Sequence, residues 1–218
     1  MKKLIMAGAI ALFGLSQAQL AKGTVYVSGQ ADYSHKEHNE EYQSSKADVL
    51  KIIPSAGYFV GTNLAVGLGI GYKTSVTKYA VGNDVINNLL EFKENAFVVA
   101  PFIRKYWTLS DKLYLFGQLQ VPMEFGQQKS DEESINNIGD PMFNYTVSRK
   151  NNYTNIGVNI KPGLDYFLSK NWSIEATLGE FGYNTYKRDI EGVKHSDLYR
   201  FGVNLNSVTF GVKYIFAK

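Results

Sequence analysis

The sequence predicts an all-β fold: an eight-stranded antiparallel up-and-down transmembrane β-barrel. Three observations predict it. Apolar residues recur with a period of two, the mark of strands with unlike faces. The segments carrying this alternation run 11–18 residues, too long for a soluble sandwich, where strands of about five or six residues are usual. The connections between them alternate strictly between long and short.

The elements follow in chain order. Residues 1–18 form a signal peptide. Lys2 and Lys3 precede an apolar run over 4–15, and Ser16-Gln17-Ala18 supplies small residues for cleavage between Ala18 and Gln19. Twelve apolar or small residues fall short of the about 20 that a membrane helix needs. Residues 19–218 form the barrel domain. Its strands are expected over 24–34, 47–60, 64–78, 95–107, 112–127, 153–168, 172–186 and 199–216. Gly61-Thr62-Asn63, residues 108–111 and residues 169–171 are short turns. Residues 35–46, 79–94, 128–152 and 187–198 are longer polar loops.

One parity is apolar in each strand. Leu64, Val66, Leu68, Ile70 and Tyr72 oppose Ala65, Gly67, Gly69, Gly71 and Lys73. Leu113, Leu115, Leu119, Val121, Met123 and Phe125 oppose Tyr114, Phe116, Gln118, Gln120 and Glu124, and Ile156, Val158, Ile160, Leu164 and Tyr166 oppose Asn155, Asn159, Lys161 and Asp165. In a membrane barrel the apolar parity meets lipid and the polar parity fills the interior. Aromatics near strand ends (Tyr58, Phe59, Tyr72, Tyr106, Trp107, Tyr166, Phe167, Trp172, Tyr214 and Phe216) read as interfacial girdles. Pro54, Pro101 and Pro162 fall inside strands, where a missing N–H implies local bulges. Phase shifts are expected near Gly179–Gly182 and Asn204–Ser207 as well.

Composition excludes several functions. No cysteine means no disulfide, thiolate-held zinc or thiol catalysis. The 23 Lys+Arg against 20 Asp+Glu fall to 21 against 20 once Lys2 and Lys3 are removed, with no basic stripe for nucleic acid. A mean hydropathy of −0.20 averages a lipid-facing half with polar surfaces.

Pro54-Ser55-Ala56-Gly57-Tyr58-Phe59-Val60 leads through a turn to Asn63-Leu64-Ala65-Val66-Gly67. With Pro101-Phe102-Ile103-Arg104-Lys105-Tyr106 and the closing Phe210-Gly211-Val212-Lys213-Tyr214-Ile215-Phe216, it resembles small eight-stranded outer-membrane barrels of the OmpA/OmpX-like kind, in the form found in Bacteroidota. The resemblance implies that Thr209, Gly211, Tyr214 and Phe216 form the signal read by the barrel-assembly machinery, although Ala217 and Lys218 follow the final aromatic. It implies an outer-membrane location, lipid as the surrounding partner, and both termini on the periplasmic side.

For eight strands the interior is just wide enough for side chains to fill. The inward parity offers Lys51, Lys73, Arg104, Gln118, Gln120, Glu124, Lys161, Asp165 and Glu175, with both signs present for pairing. Arg104 is expected at the centre, contacted by Glu124 or Glu175. No cofactor, metal or catalytic residue is expected. His195-Ser196-Asp197 has the residue types of a hydrolase, but neighbours in an extended chain point to opposite sides. His35 and His38 are a weak metal pair in a polar loop. The expected role is non-enzymatic, in envelope integrity or in adhesion to an extracellular ligand through the outer loops. The alternatives are a small passive channel for water or ions and, third, a lipid-modifying enzyme.

Overall fold

The computed structural model describes residues 20–82, 86–136, 144–200 and 208–216. The signal peptide, the phase shift expected near Asn204–Ser207 and the 137–143 part of the longest loop lie outside them. Eleven strand segments make one antiparallel sheet. They are β1 (Val25–Asn39), β2 (Gln43–Gly61), β3 (Leu64–Gly82), β4 (Ile86–Thr108), β5 (Leu113–Gln120), β6 (Met123–Asn136), β7 (Tyr145–Phe167), β8 (Trp172–Leu178), β9 (Phe181–Arg188), β10 (Ser196–Arg200) and β11 (Val208–Phe216). Pairing runs β1-β2-β3-β4-β5-β7-β8-β11 and returns to β1 through Val25↔Phe216 to Ala31↔Phe210, a closed ring of eight.

Several segments are halves of one strand. β5 and β6 keep a single register against β4, from Phe102↔Gln120 to Val99↔Met123, and a single register against β7. The break between them is chemical. Pro101 and Pro122 lack the N–H that each ladder needs there, yet Val121 N–H still bonds the Pro101 carbonyl at 3.0 Å and Gly157 N–H the Pro122 carbonyl at 2.9 Å. The bulges expected at Pro54 and Pro101 are therefore absent. Ser55↔Gly69 resumes the register of Ile52↔Tyr72, so each proline costs a ladder bond without slipping the strand. One register shift lies between Phe59 and Gly61 at the β2–β3 turn, and another comes opposite Pro162. Gly163↔Thr177 and Ile160↔Phe181 differ by one residue, which places a bulge between β8 and β9 at Gly179–Glu180, and Gly179 has φ 105°.

The strands overrun the expected loops. β4 and β7 have 23 residues each and β2 and β3 19, about twice what a tilted crossing takes. Residues 79–82, 86–94, 128–136 and 145–152, read as loop, are β-hairpin. Beyond the bilayer both faces of a sheet are wet, so no hydrophobic alternation marks these strands. Between the short turns and these hairpins lies the lipid-facing band, with Val66, Ile70, Phe97, Ile160 and Val212 all exposed.

Candidate functional site

Inward side chains stack in layers from the turn end upward. The lowest is aromatic: Tyr26, Phe59, Tyr106, Tyr114, Phe116 and Phe167 are at most 2% exposed, and Ile215 and Leu20 join them. Their rings meet tilted or edge-on, with centroids 5.3–6.5 Å apart. The girdle expected at Phe59, Tyr106 and Phe167 is corrected here. They belong to this plug, because parity decides direction and Tyr106 shares the parity of Arg104. Tyr58, Trp107, Tyr166, Trp172 and Phe216 do face outward.

The aromatic layer holds a buried cation. Lys213 Nζ pairs with the Asp165 carboxylate, bonds Tyr106 Oη at 3.2 Å and lies 4.9 Å from the Tyr106 ring centroid. Above it Arg104 is 2% exposed. Its Nη1 meets Glu175 Oε2 at 2.5 Å, its Nε donates to Gln118 Oε1 at 2.7 Å, and its guanidinium carbon sits 4.2 Å from the Phe116 ring centroid. Gln118 donates to Gln120 at 2.8 Å, and Gln30 donates to the other Glu175 oxygen at 2.7 Å. Of the two carboxylates considered for Arg104, Glu175 makes the contact.

Glu124 serves a separate layer. Lys73 Nζ lies 2.9 Å and Lys51 Nζ 3.3 Å from its two oxygens, and Asn155 donates at 3.2 Å. Lys161 pairs with Glu180 at 2.9 Å, and Asn159 donates to the same carboxylate at 2.6 Å. Of the nine inward residues named from sequence, Arg104, Gln118, Gln120, Glu124, Asp165 and Glu175 are buried and Lys51, Lys73 and Lys161 half-buried, and they fall in three clusters. The sequence reading missed Lys213, Gln30 and Glu180. Lys213 shares parity with Gly211 and could have been found. Glu180 reaches the interior only through the bulge. Removing Glu124 as Glu124→Gln leaves Lys51 and Lys73 facing each other without a counter-charge. The expected result is a fall in the urea midpoint of the folded protein in detergent, with Lys73→Met in the same chain recovering part of it.

The four residues expected to form an assembly signal sit on β11. Gly211 faces inward beside Gln30 and Glu175, Thr209 pairs with Thr177, and Tyr214 and Phe216 form an edge-on aromatic pair 5.0 Å apart. Residues considered for other chemistry lie apart from the interior. Asp197 accepts from Tyr183 Oη at 2.7 Å and lies 3.5 Å from His195, while strand alternation turns Ser196 to the opposite face. His38 contacts Glu40, and no metal-ligating cluster of three His, Cys, Asp or Glu occurs among the described residues.

His35 sits on the projecting part of β1, its Nδ1 2.6 Å from Asp48 Oδ1 on β2. The hydrogen bond to Asp48 raises the His35 pKa, and the same bond lowers that of Asp48. The raised value means the contact is fully present below the ordinary histidine pKa and is lost as pH rises through the folded one. On the acid side it is lost as pH falls through the depressed Asp48 value. Asp48→Asn should move the His35 midpoint down, read by NMR titration of its ring protons; an unmoved midpoint would contradict the pairing.

Three solved barrels are similar in outline. The N-terminal β-barrel domain of Pseudomonas aeruginosa OprF is 14% identical, with TM-score 0.34, over 89% of this chain and 98% of that one. The Yersinia pestis attachment invasion locus protein Ail, solved with the heparin analogue sucrose octasulfate, is 14% identical, with TM-score 0.34, over 89% and 99%. A major outer membrane protein from Thermus thermophilus is 13% identical, with TM-score 0.39, over 88% and 99%. No curated protein sequence matches the chain. The outer membrane protein beta-barrel domain family matches residues 5–216. With its closed ring, lipid-facing apolar parity and polar interior, the chain belongs to this family and is an integral outer-membrane β-barrel protein.

Proposed function

We propose that this barrel is a closed, non-enzymatic scaffold whose projecting wall serves adhesion or envelope integrity by binding an extracellular ligand. The observation that carries the reading is the division of labour along the axis. The interior is filled by an aromatic layer and three ion-pair clusters, whereas β2, β3, β4 and β7 extend far past the apolar band. A filled lumen supports a plug against the small-channel alternative, and long strands with short turns at one end support a platform held outside the cell. Assembly through Thr209, Gly211, Tyr214 and Phe216, and removal of residues 1–18 on export, belong to the same proposal.

Planar-bilayer recording of the purified protein tests the plug. The expected trace has no steady unitary conductance, and a reproducible conductance would replace this reading with the channel. The wall is tested in a deletion strain complemented with full-length protein or with a barrel whose β6–β7 hairpin is shortened to a tight turn. Adhesion requires that the shortened barrel restore exclusion of a hydrophobic dye but not attachment to a surface. Equal attachment with both would remove the wall from the function.

A further inference from the structure

The outer wall carries a pattern that the closed interior does not explain. In register across β4, β6 and β7, Lys93 pairs with Lys129 and Lys129 with Lys150. Alternation sends all three outward, on the parity of Phe97, Phe125 and Ile156, which are 50%, 49% and 41% exposed. Neighbouring strands lie about 4.8 Å apart, and like charges placed directly opposite one another destabilise a sheet. Internal pairing answers only part of this repulsion. Lys93 contacts Glu91, and Lys129 lies 2.8 Å from Asp131, each carboxylate two residues farther from the membrane. Lys150 is exposed and makes no ion pair among the described residues.

Directly beneath the lysine row the wall carries a shallow, open depression. An open pocket of about 470 Å³ is lined by Asn95, Phe125, Gln127, Asn152 and Thr154 on the outward parity, and Gln127 Nε2 donates to Asn152 Oδ1 at 3.2 Å. Below it Phe97 and Phe125 are cross-strand partners at the top of the lipid-facing band. Moving away from the bilayer, the surface therefore offers aromatic rings, then amides and a hydroxyl, then three ammonium groups. A phosphorylated glycolipid of the outer leaflet presents complementary groups: acyl chains, sugar hydroxyls and phosphate.

We propose that Lys93, Lys129 and Lys150, with the amide-lined pocket beneath them, bind the phosphorylated sugar headgroup of an outer-leaflet glycolipid. The phosphate takes the place of the missing counter-anion and cancels the repulsion along the row. The sugar occupies the pocket, and an acyl chain lies against Phe97 and Phe125. A free phosphate or a soluble polyanion would use the lysines alone and leave the rings and amides idle. The inference rests on the chain being an outer-membrane barrel with its hairpins outward. It does not depend on whether the lumen conducts.

The full chain, folded in detergent, is mixed with diphosphorylated lipid A or its dephosphorylated form and read by native mass spectrometry. Preference for the phosphorylated form by about tenfold or more is expected, as one or two charge-assisted hydrogen bonds would give. Lys129→Gln with Lys150→Gln should abolish that preference while the heat-modifiable gel shift of a folded barrel persists. Glu91→Gln supplies a test in the opposite direction, since freeing Lys93 should tighten phosphorylated lipid by a few-fold. Asn152→Leu should weaken both lipids. Equal binding of the two lipids by the unaltered protein, or no response to Glu91→Gln, would overturn the site. Complete displacement by millimolar inorganic phosphate would overturn the glycolipid and leave a simple anion site.

Discussion

Replacing Arg104 by methionine should lower the unfolding free energy of the barrel in detergent by about 3–5 kcal/mol, the usual cost of stranding one member of a buried ion pair. Arg104 is the hub of its layer: Glu175 is 0% exposed, with one oxygen 2.5 Å from Nη1 of Arg104 and the other held by Gln30 at 2.7 Å. Without the guanidinium, Glu175 keeps a single amide partner from this group and faces the aromatic layer. Glu175→Leu alone should cost a similar amount, because it strands the cation instead. The double variant is the decisive measurement. Removing both charges removes the desolvation cost along with the attraction, so Arg104→Met/Glu175→Leu should be clearly less damaging than the two single losses added together. Urea titration of the folded protein, with intrinsic tryptophan fluorescence from Trp107 and Trp172, reads all three. An Arg104→Met variant as stable as the parent would show that the layer contributes nothing. Additive losses would show that the two groups act separately.

The parity that places Arg104 and Glu175 on the inward face is plain in the sequence because one face of each strand must meet lipid. Leu64, Val66 and Leu68 cannot alternate with Ala65, Gly67 and Gly69 by accident of a loop, and the same rule puts Gln118, Glu124 and Asp165 inside. Parity fails where its cause is absent. Above the bilayer Lys129, Asp131 and Glu133 alternate with Ser130, Glu132 and Ser134, all polar, so the strand extending through 136 looks like a loop. Position along the strand is a weaker guide than parity where the two disagree. Phe59, Tyr106 and Phe167 lie near strand ends as girdle residues do, yet each is at most 1% exposed. Which charges pair is a further step that parity does not reach. Arg104 faces Glu175 across the lumen from a strand 71 positions away in sequence, a contact set by closure of the ring. The outward lysine row stays hidden for the same reason, since Lys93, Lys129 and Lys150 come into line only through register.

Gly163→Val should prevent the barrel from closing or reduce its stability by about 3 kcal/mol or more, at the upper end of what overpacking costs. Gly163 faces the interior between Phe116 on β5 and Ala176 on β8. A Cβ there would lie 2.2 Å from the Phe116 ring and 2.6 Å from the Ala176 carbonyl oxygen. The ring cannot simply swing away, because its other neighbours are Tyr106, at 5.9 Å between centroids, and the guanidinium of Arg104. Moving the carbonyl would disturb the pairing of β7 with β8, beside the bulge at Gly179–Glu180 where the ladder is already interrupted. Two comparisons separate packing from backbone effects. Gly29→Ala, where no atom lies within 4 Å of an added Cβ, should leave stability nearly unchanged. Phe116→Ala combined with Gly163→Val removes the nearer clash but keeps the carbonyl contact, so it should recover only part of the loss. Folding yield into detergent, read as the heat-modifiable fraction on a gel, gives the order Gly29→Ala, double variant, Gly163→Val from best to worst. A Gly163→Val chain that folds as well as the parent would mean that β7 and β8 approach less closely than the ring described above requires.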